Sequence, residues 1–429
     1  MFRLLYFVIN LVLLLIIISF IFSNPFIISL DIGNFKYSFS SIVFSIVALV
    51  ILITFYFFTY IFFKSRFSIN NFFIKNKYKR LEKGHLHFVD AMIAISNKDN
   101  RNAIKFHKKM NNYIKDDPSL SLLVKSEVYK MERKYPELVD VYEMMIKSKK
   151  MEALGYRGLM EHNLNNHDYH HAFLYGEKLF SLSPSIEKLY ETLVYIAAKT
   201  KNWNQIISIS EKAYSQKIIN INTFNENNSV AYYEIAKIKF SSNFKEANKN
   251  ITKALNLKKN FSPYIKLHLE LIADSNNQSL LKKMIKKYWY LNPDQTLRLI
   301  ITDIIRNNNL GDLTFINQII KNNANNEESR KMLIYFAIKN QSWQIARNKI
   351  TGLIGSNPSR EVCLFMADIE LGENNDKQKS DSWIMRSEGT FSENTWICKF
   401  TNQAQQDWNS LSDSGYFNSL VLSNSKMIE

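Results

Sequence analysis

The sequence predicts an all-α fold: two apolar N-terminal helices joined by a short β-hairpin, then a long array of paired amphipathic helices closed by a small β-like C-terminal cap. Three observations predict it. Glycine (11) and proline (7) are scarce in 429 residues, which disfavours a fold with many tight turns. Two apolar runs, 4–22 and 42–63, each have the roughly 20 residues needed to cross a hydrocarbon core of about 30 Å. From residue 82 to residue 388, amphipathic stretches come in pairs separated by short breaks.

The N-terminal elements come first. The run 4–22 carries Asn10 and Ser19 as its polar members, and 42–63 carries Ser45, Thr54 and Thr59. Between them, residues 26–40 read FIISLDIGNFKYSFS. Apolar and polar residues alternate on both sides of Gly33-Asn34, the pattern of a two-stranded hairpin. After the second run stand Lys64, Arg66, Lys75, Lys77, Lys79, Arg80 and Lys83 against one acid, Glu82, whereas the loop between the runs holds Asp31 and Lys36. Positive flanks stay in the cytoplasm, so the expectation is a membrane protein with two spans, residues 64–429 inside and the hairpin outside. Tyr56, Phe57, Phe58, Tyr60, Phe62 and Phe63 resemble an aromatic belt, and the basic cluster is a candidate site for anionic headgroups. No small-x-small motif follows the first run, which argues against a cleaved leader.

The remaining chain divides into a basic juxtamembrane linker (64–81), the helical array (82–388) and a tail (389–429), with 1–63 as the anchor. The helix pairs recur at about 34 residues, the period of tetratricopeptide units. Segments 168–184 (DYHHAFLYGEKLFSLSP) and 342–358 (SWQIARNKITGLIGSNP) align without a gap. Tyr169 and Trp343 precede Ala172 and Ala346 by the same interval, and Pro184 and Pro358 close both. Phe244 and Ala247 repeat the pattern, and Trp203 pairs with Ile206. A small residue lets two helices approach, the aromatic packs on the partner, and proline starts the next unit. Such a tetratricopeptide-like α-solenoid buries its apolar faces by stacking and offers a groove for protein partners.

Sequence motifs for catalysis are missing: there is no phosphate loop, CxxC pair, nucleophile elbow or HExxH, so the chain does not read as an enzyme. His167 and His171, four apart in HNLNNHDYHH, are candidate contacts for a haem or a metal, as are His85 and His87 beside the membrane; solvated polar faces compete with that reading. No cofactor is required by the sequence, and haem is the ligand those imidazoles would take. The stripe Lys282, Lys283, Lys286 and Lys287 lacks interleaved aromatics and reads as a solvated face, with no nucleic-acid partner. Two cysteines exclude a disulfide framework; Cys363 reads as core. The tail, with Trp396, Cys398, Trp408 and Gly415, has the layout of a rubredoxin-like ribbon reduced to one cysteine, and it is expected to cap the last repeat without metal.

Two spans around a hairpin, a basic exit and helical repeats resemble the HemY family. The likeness is carried by MFRLLYFVINLVLLL, by FIISLDIGNFKYSFS, by the second span, and by residues 153–184, where Gly155, Arg157, Gly158 and Leu159 are similar to the family's Leu-Arg-Gly-Leu element. The resemblance implies a non-enzymatic scaffold or regulator that organises enzymes of late haem (porphyrin) biosynthesis at the inner membrane. Arg157, flanked by Gly155 and Gly158, is the candidate groove residue. The alternatives are an adaptor for envelope (lipopolysaccharide) assembly, which anchored tetratricopeptide proteins also resemble, and a haem carrier using His167 and His171.

Overall fold

The computed structural model describes residues 12, 16–17, 19–20, 22–23, 26–33, 35–114, 118–355, 358–388 and 395–423. Among them the chain is mostly helical, and it separates into two compact units, Met1–Leu138 and Val139–Glu429. The expected span 4–22 falls largely outside the described residues; Val12, Ile16, Ile17, Ser19, Phe20 and Phe22 have helical backbone.

The first unit contains the hairpin. Strands β1 (Ile27–Ile32) and β2 (Phe35–Ser40) pair antiparallel, with Ile27 opposite Ser40 and Ile32 opposite Phe35. Gly33 takes φ +61°, the positive value that a two-residue hairpin loop requires there. Ser40 caps the adjoining helix by accepting from the Ile42 N–H at 3.3 Å. This helix, α1 (Ser41–Ser96), runs for 56 residues, roughly 84 Å at the usual rise. Its stretch Ser41–Phe62 is long and apolar enough to cross a membrane, with mean hydropathy 2.7 and its most apolar part unburied. Residues 64–81, set apart by composition as a linker, continue the helix without a break. No glycine or proline occurs between Ser41 and Lys83. Helix α2 (Asn100–Tyr113) folds back on the end of α1, where a side chain at Gly84 would collide with Ile114. With α3 (Pro118–Glu132) they enclose Ala91, Ala94, Ala103, Met110, Val124 and Val128.

Helix α4 (Tyr135–Ile146) crosses the boundary between the units. The second unit continues as helix pairs: α5 (Glu152–Asn165) with α6 (Tyr169–Leu182), α7 (Leu189–Lys199) with α8 (Trp203–Ser215), and α9 (Ile221–Lys239) with α10 (Phe244–Leu257). Then come α11 (Ser262–Asp274) with α12 (Gln278–Leu291), α13 (Gln295–Asn307) with α14 (Leu313–Ile320), α15 (Glu327–Lys339) with α16 (Trp343–Ile350), and α17 (Arg360–Asn374) with α18 (Lys377–Glu388). The turn inside a pair recurs in both units. A residue with positive φ (Lys98, His167, Asn276) is followed by Asp99, Asp168 or Asn277. The side chains of these three accept from the N–H groups of Asn102, His171 and Leu280. Ala172, Ala247, Ala346 and Ile206, the small or apolar position of the repeat, are all fully buried. Trp343 packs on Gly372 of the next pair, where a Cβ would lie 2.2 Å from its ring.

The tail forms a three-stranded sheet, β3 (Thr395–Cys398) flanked by β4 (Ala404–Gln405) and β5 (Leu420–Ser423). The expectation that it caps the last repeat is corrected. Trp396, Cys398, Trp408 and Leu420 share a core with Val230, Tyr264, Leu267 and Leu271, so the sheet sits against α9 and α11 in the middle of the unit. The Trp408 ring stands edge-on to Tyr233, Phe261 and Tyr264 at 5.1–5.7 Å between centroids. In α18, Met385 remains 73% exposed. The aromatic surface that matches the tail lies on α9 and α11, whereas α18 is polar.

Candidate partner groove

Successive first helices of the pairs place one face side by side, and the tail forms a wall across it. Between them runs a groove of about 1250 Å³. Leu267 and Glu270 of α11, Leu299 and Asp303 of α13, and Asp407 and Trp408 of the tail line it. Amide side chains (Asn276, Gln295, Asn307) sit among the apolar ones. Each amide offers a donor and an acceptor, which is what an unpaired peptide backbone needs. Burial pushes the Glu270 carboxyl up; Asp274 adds to this and Lys266 opposes it. Burial likewise raises the Tyr233 hydroxyl, helped by Glu234, Glu270 and Asp407, so Tyr233 stays a hydrogen-bond donor. Four carboxylates (Glu270, Asp274, Asp303 and Asp407) line the groove together with three cations (Lys237, Lys266 and Arg360).

Two buried polar groups hold the helices that form the groove. Arg298 of α13 is 1% exposed. Its Nε donates to Glu328 of α15 at 2.8 Å and its Nη2 to Glu361 of α17 at 2.7 Å, tying three first helices together. Burial raises the Glu361 carboxyl more than Arg298 lowers it. On Glu328, burial is outweighed by the hydrogen bonds from Arg298 and Lys331, and its carboxyl lies below the usual value. His268 of α11 is also buried. Its Nδ1 accepts from the Tyr288 hydroxyl at 2.5 Å and its Nε2–H donates to Asn248 Oδ1 at 3.1 Å. Burial, with a smaller push from Lys287, lowers its pKa to about 4 and keeps it neutral.

The residues singled out in the sequence lie elsewhere. Arg157 is half exposed on α5 and pairs with Glu161 at 2.8 Å. Gly155 and Gly158 do not open space for a partner beside it, because they serve helix packing. A Cβ on Gly158 would come within 2.3 Å of the Tyr142 ring, and one on Gly155 within 2.7 Å of the Tyr142 carbonyl. His167 forms the α5–α6 turn at φ +59°, with Nδ1 3.3 Å from the Tyr169 hydroxyl. His171 Nδ1 lies 2.7 Å from Asp168 Oδ2, so the turn engages both imidazoles locally. In the first unit, the His85 ring stacks near Phe88, and that of His87 lies between Phe106 and Tyr113 with Nδ1 3.5 Å from Asp90. Lys64, Lys75, Lys77, Lys79, Arg80 and Lys83 are exposed on α1; the Arg66 side chain lies outside the described set. In the tail, Ser419 and Ser412 hydroxyls stand 3.4 and 3.8 Å from Cys398 Sγ. One thiol with hydroxyl neighbours is not the donor set of a structural zinc.

The groove residues Tyr233, Glu270, Asp303 and Asp407 were not picked out by sequence. Their signal was weak: polar residues on the first helix of each pair, spread over nearly two hundred positions.

No known protein-family model matches the sequence, and no curated protein is significantly similar to it. Several solved structures are similar in fold. A tetratricopeptide repeat protein from Parabacteroides merdae is 14% identical with a TM-score of 0.27, the match covering 58% of this chain and 93% of that one. The TPR2AB-domain:pHSP90 complex of yeast Sti1 gives 10% and 0.30, over 72% and 99%. Naa15/Naa10 bound to HypK-THB gives 10% and 0.38, over 71% and 51%. Scores this low transfer no function. The repeat class rests on the chain's own helix pairs, with their recurrent turn, buried small residue and packed aromatic: this is a tandem array of tetratricopeptide-like helix pairs.

Proposed function

We propose that the chain is a membrane-tethered scaffold that binds and organises enzymes of late haem biosynthesis at the cytoplasmic face of a bacterial inner membrane. The observation that carries the binding role is the groove between α9, α11, α13 and the tail, which is lined by apolar side chains, amides, carboxylates and a few cations. Its occupant is a peptide segment of a partner protein with apolar and hydrogen-bond-donating side chains. The tether is the apolar stretch Ser41–Phe62, continuous with exposed lysines suited to anionic headgroups. Confining partners to one surface raises their effective concentration without any catalytic step by the scaffold. The haem pathway enters through the resemblance of the two apolar runs, the hairpin and residues 153–184 to the HemY family. A haem-carrier role for His167 and His171 is less favoured, since both imidazoles already serve the α5–α6 turn.

A photoreactive residue at Leu299, 39% exposed in the groove, tests the binding role in native membranes. Crosslinks to late haem enzymes are the expected result. Crosslinks to lipid A enzymes would favour the envelope-assembly adaptor, and their absence at Leu299 would remove the groove as the client site. Gene deletion should cause porphyrin accumulation; unchanged porphyrin would reject the haem pathway.

A further inference from the structure

The hairpin has one uncovered aromatic face. In the antiparallel register Phe39 is opposite Ile28, so Ile28, Phe35, Tyr37 and Phe39 share a side of the ribbon. Phe35, Tyr37 and Phe39 are 68%, 49% and 41% exposed, and the Tyr37 and Phe39 rings lie nearly parallel with centroids 6.3 Å apart. Asp31 and Lys36 occupy the opposite side as an exposed pair at 4.0 Å. Apart from exposed Ile27 at its open end, the ribbon is therefore amphipathic across its thickness. An isolated two-stranded hairpin is marginal in water, and three adjacent exposed rings make it more so.

The hairpin is fixed to the apolar helix with no linker between them. Strand β2 ends at Ser40 and α1 begins at Ser41. The Ser41 N–H donates to the Phe26 carbonyl at 2.9 Å, the Phe26 N–H donates to Ser41 Oγ at 3.2 Å, and Ser41 is 1% exposed. A helix whose first 22 residues suit a hydrocarbon core thus carries the aromatic ribbon at its very end. That end is the level of the bilayer where aromatic rings and a tyrosine hydroxyl are best accommodated.

We propose that the hairpin is a membrane-interface anchor: its Phe35–Tyr37–Phe39 face lies among the lipid headgroups and upper acyl chains, while Asp31 and Lys36 face water. The proposal rests on the membrane-tether reading of Ser41–Phe62, and the test separates the two. Cys363 and Cys398 are fully buried, so thiols introduced on the surface are labelled selectively in the full-length protein. Nitroxides at Tyr37→Cys, Lys36→Cys and Ile46→Cys are compared in phosphatidylcholine–phosphatidylglycerol vesicles by their collision rates with oxygen, which partitions into lipid, and with a water-soluble nickel chelate. A fourth label at Phe35→Cys leaves Tyr37 in place, guarding against damage to the ribbon. The expected result is an oxygen-to-nickel ratio several-fold higher at 35 and 37 than at 36, and highest at 46. Ratios at 35 and 37 equal to that at 36, with 46 still in lipid, would overturn the anchor and leave the tether standing. Shielding of 35 and 37 from both reagents would overturn it in favour of a covering protein. A nickel-accessible label at 46 would overturn the tether, and the anchor with it.

Discussion

At the residue scale, the second unit depends on a few side chains whose environment leaves little choice. Gly158 is one. Alanine there would push its Cβ into the Tyr142 ring, and an overpacking cost of about 1–3 kcal/mol is expected in urea denaturation. Arg157→Ala, which breaks an exposed ion pair one position away, should change stability by no more than about 0.5 kcal/mol. His268 is another. Its folded pKa of about 4 lies below the ordinary 6.5, so the unfolded chain takes up the proton first. The stability from neutral His268 is present above pH 6.5 and lost as pH falls toward 4, by roughly 3 kcal/mol in all. His268→Gln should flatten that part of the pH–stability curve, as read from melting temperatures of the two proteins between pH 7.5 and pH 4.5. Arg298→Met should cost about 3–5 kcal/mol at neutral pH, because Glu361 would remain buried without its cation and Glu328 would keep only Lys331. The deficit should shrink in mild acid, since Glu361 is already displaced toward the neutral form.

At the scale of elements, the turn and the helix pair were legible in sequence, and the tail's position was not. Local rules decide the pairs. An Asp or Asn after a left-handed residue starts the second helix, and an aromatic three positions before a buried alanine fixes its packing. Those rules also explain why HNLNNHDYHH drew attention as a ligand cluster. Its residues His167, Asp168 and His171 are the turn, the cap and the cap's hydrogen-bond partner. The tail follows no local rule, because its docking depends on three aromatic rings of α9, α11 and the residue before α11. Trp408→Ala should therefore lower the stability of the second unit by about 3–5 kcal/mol, measured by thermal unfolding. Truncation after Glu388 should expose Tyr233, Phe261 and Tyr264 and raise the binding of a hydrophobic dye. Unchanged melting in both variants would show that the tail is not held by this contact.

At the scale of the whole molecule, the proposed tether and the proposed partner groove belong to different units, and the proposed function needs both. Glu270→Lys combined with Asp274→Lys should reduce partner crosslinking at Leu299 several-fold while leaving membrane association unchanged, as read by flotation with vesicles. Loss of both together would point to misfolding. The sequence by itself determined the helical class, the repeat period, the apolar stretch and the hairpin. Each of these is written in neighbouring residues through periodicity, capping and φ preference. Tertiary structure alone decided that Gly155 and Gly158 are packing residues, that the tail lies on α9 and α11, and that a groove forms against it. Those outcomes depend on which surfaces meet across long stretches of chain, and the matching aromatic rings and buried charges become visible as partners only when the helices bring them together.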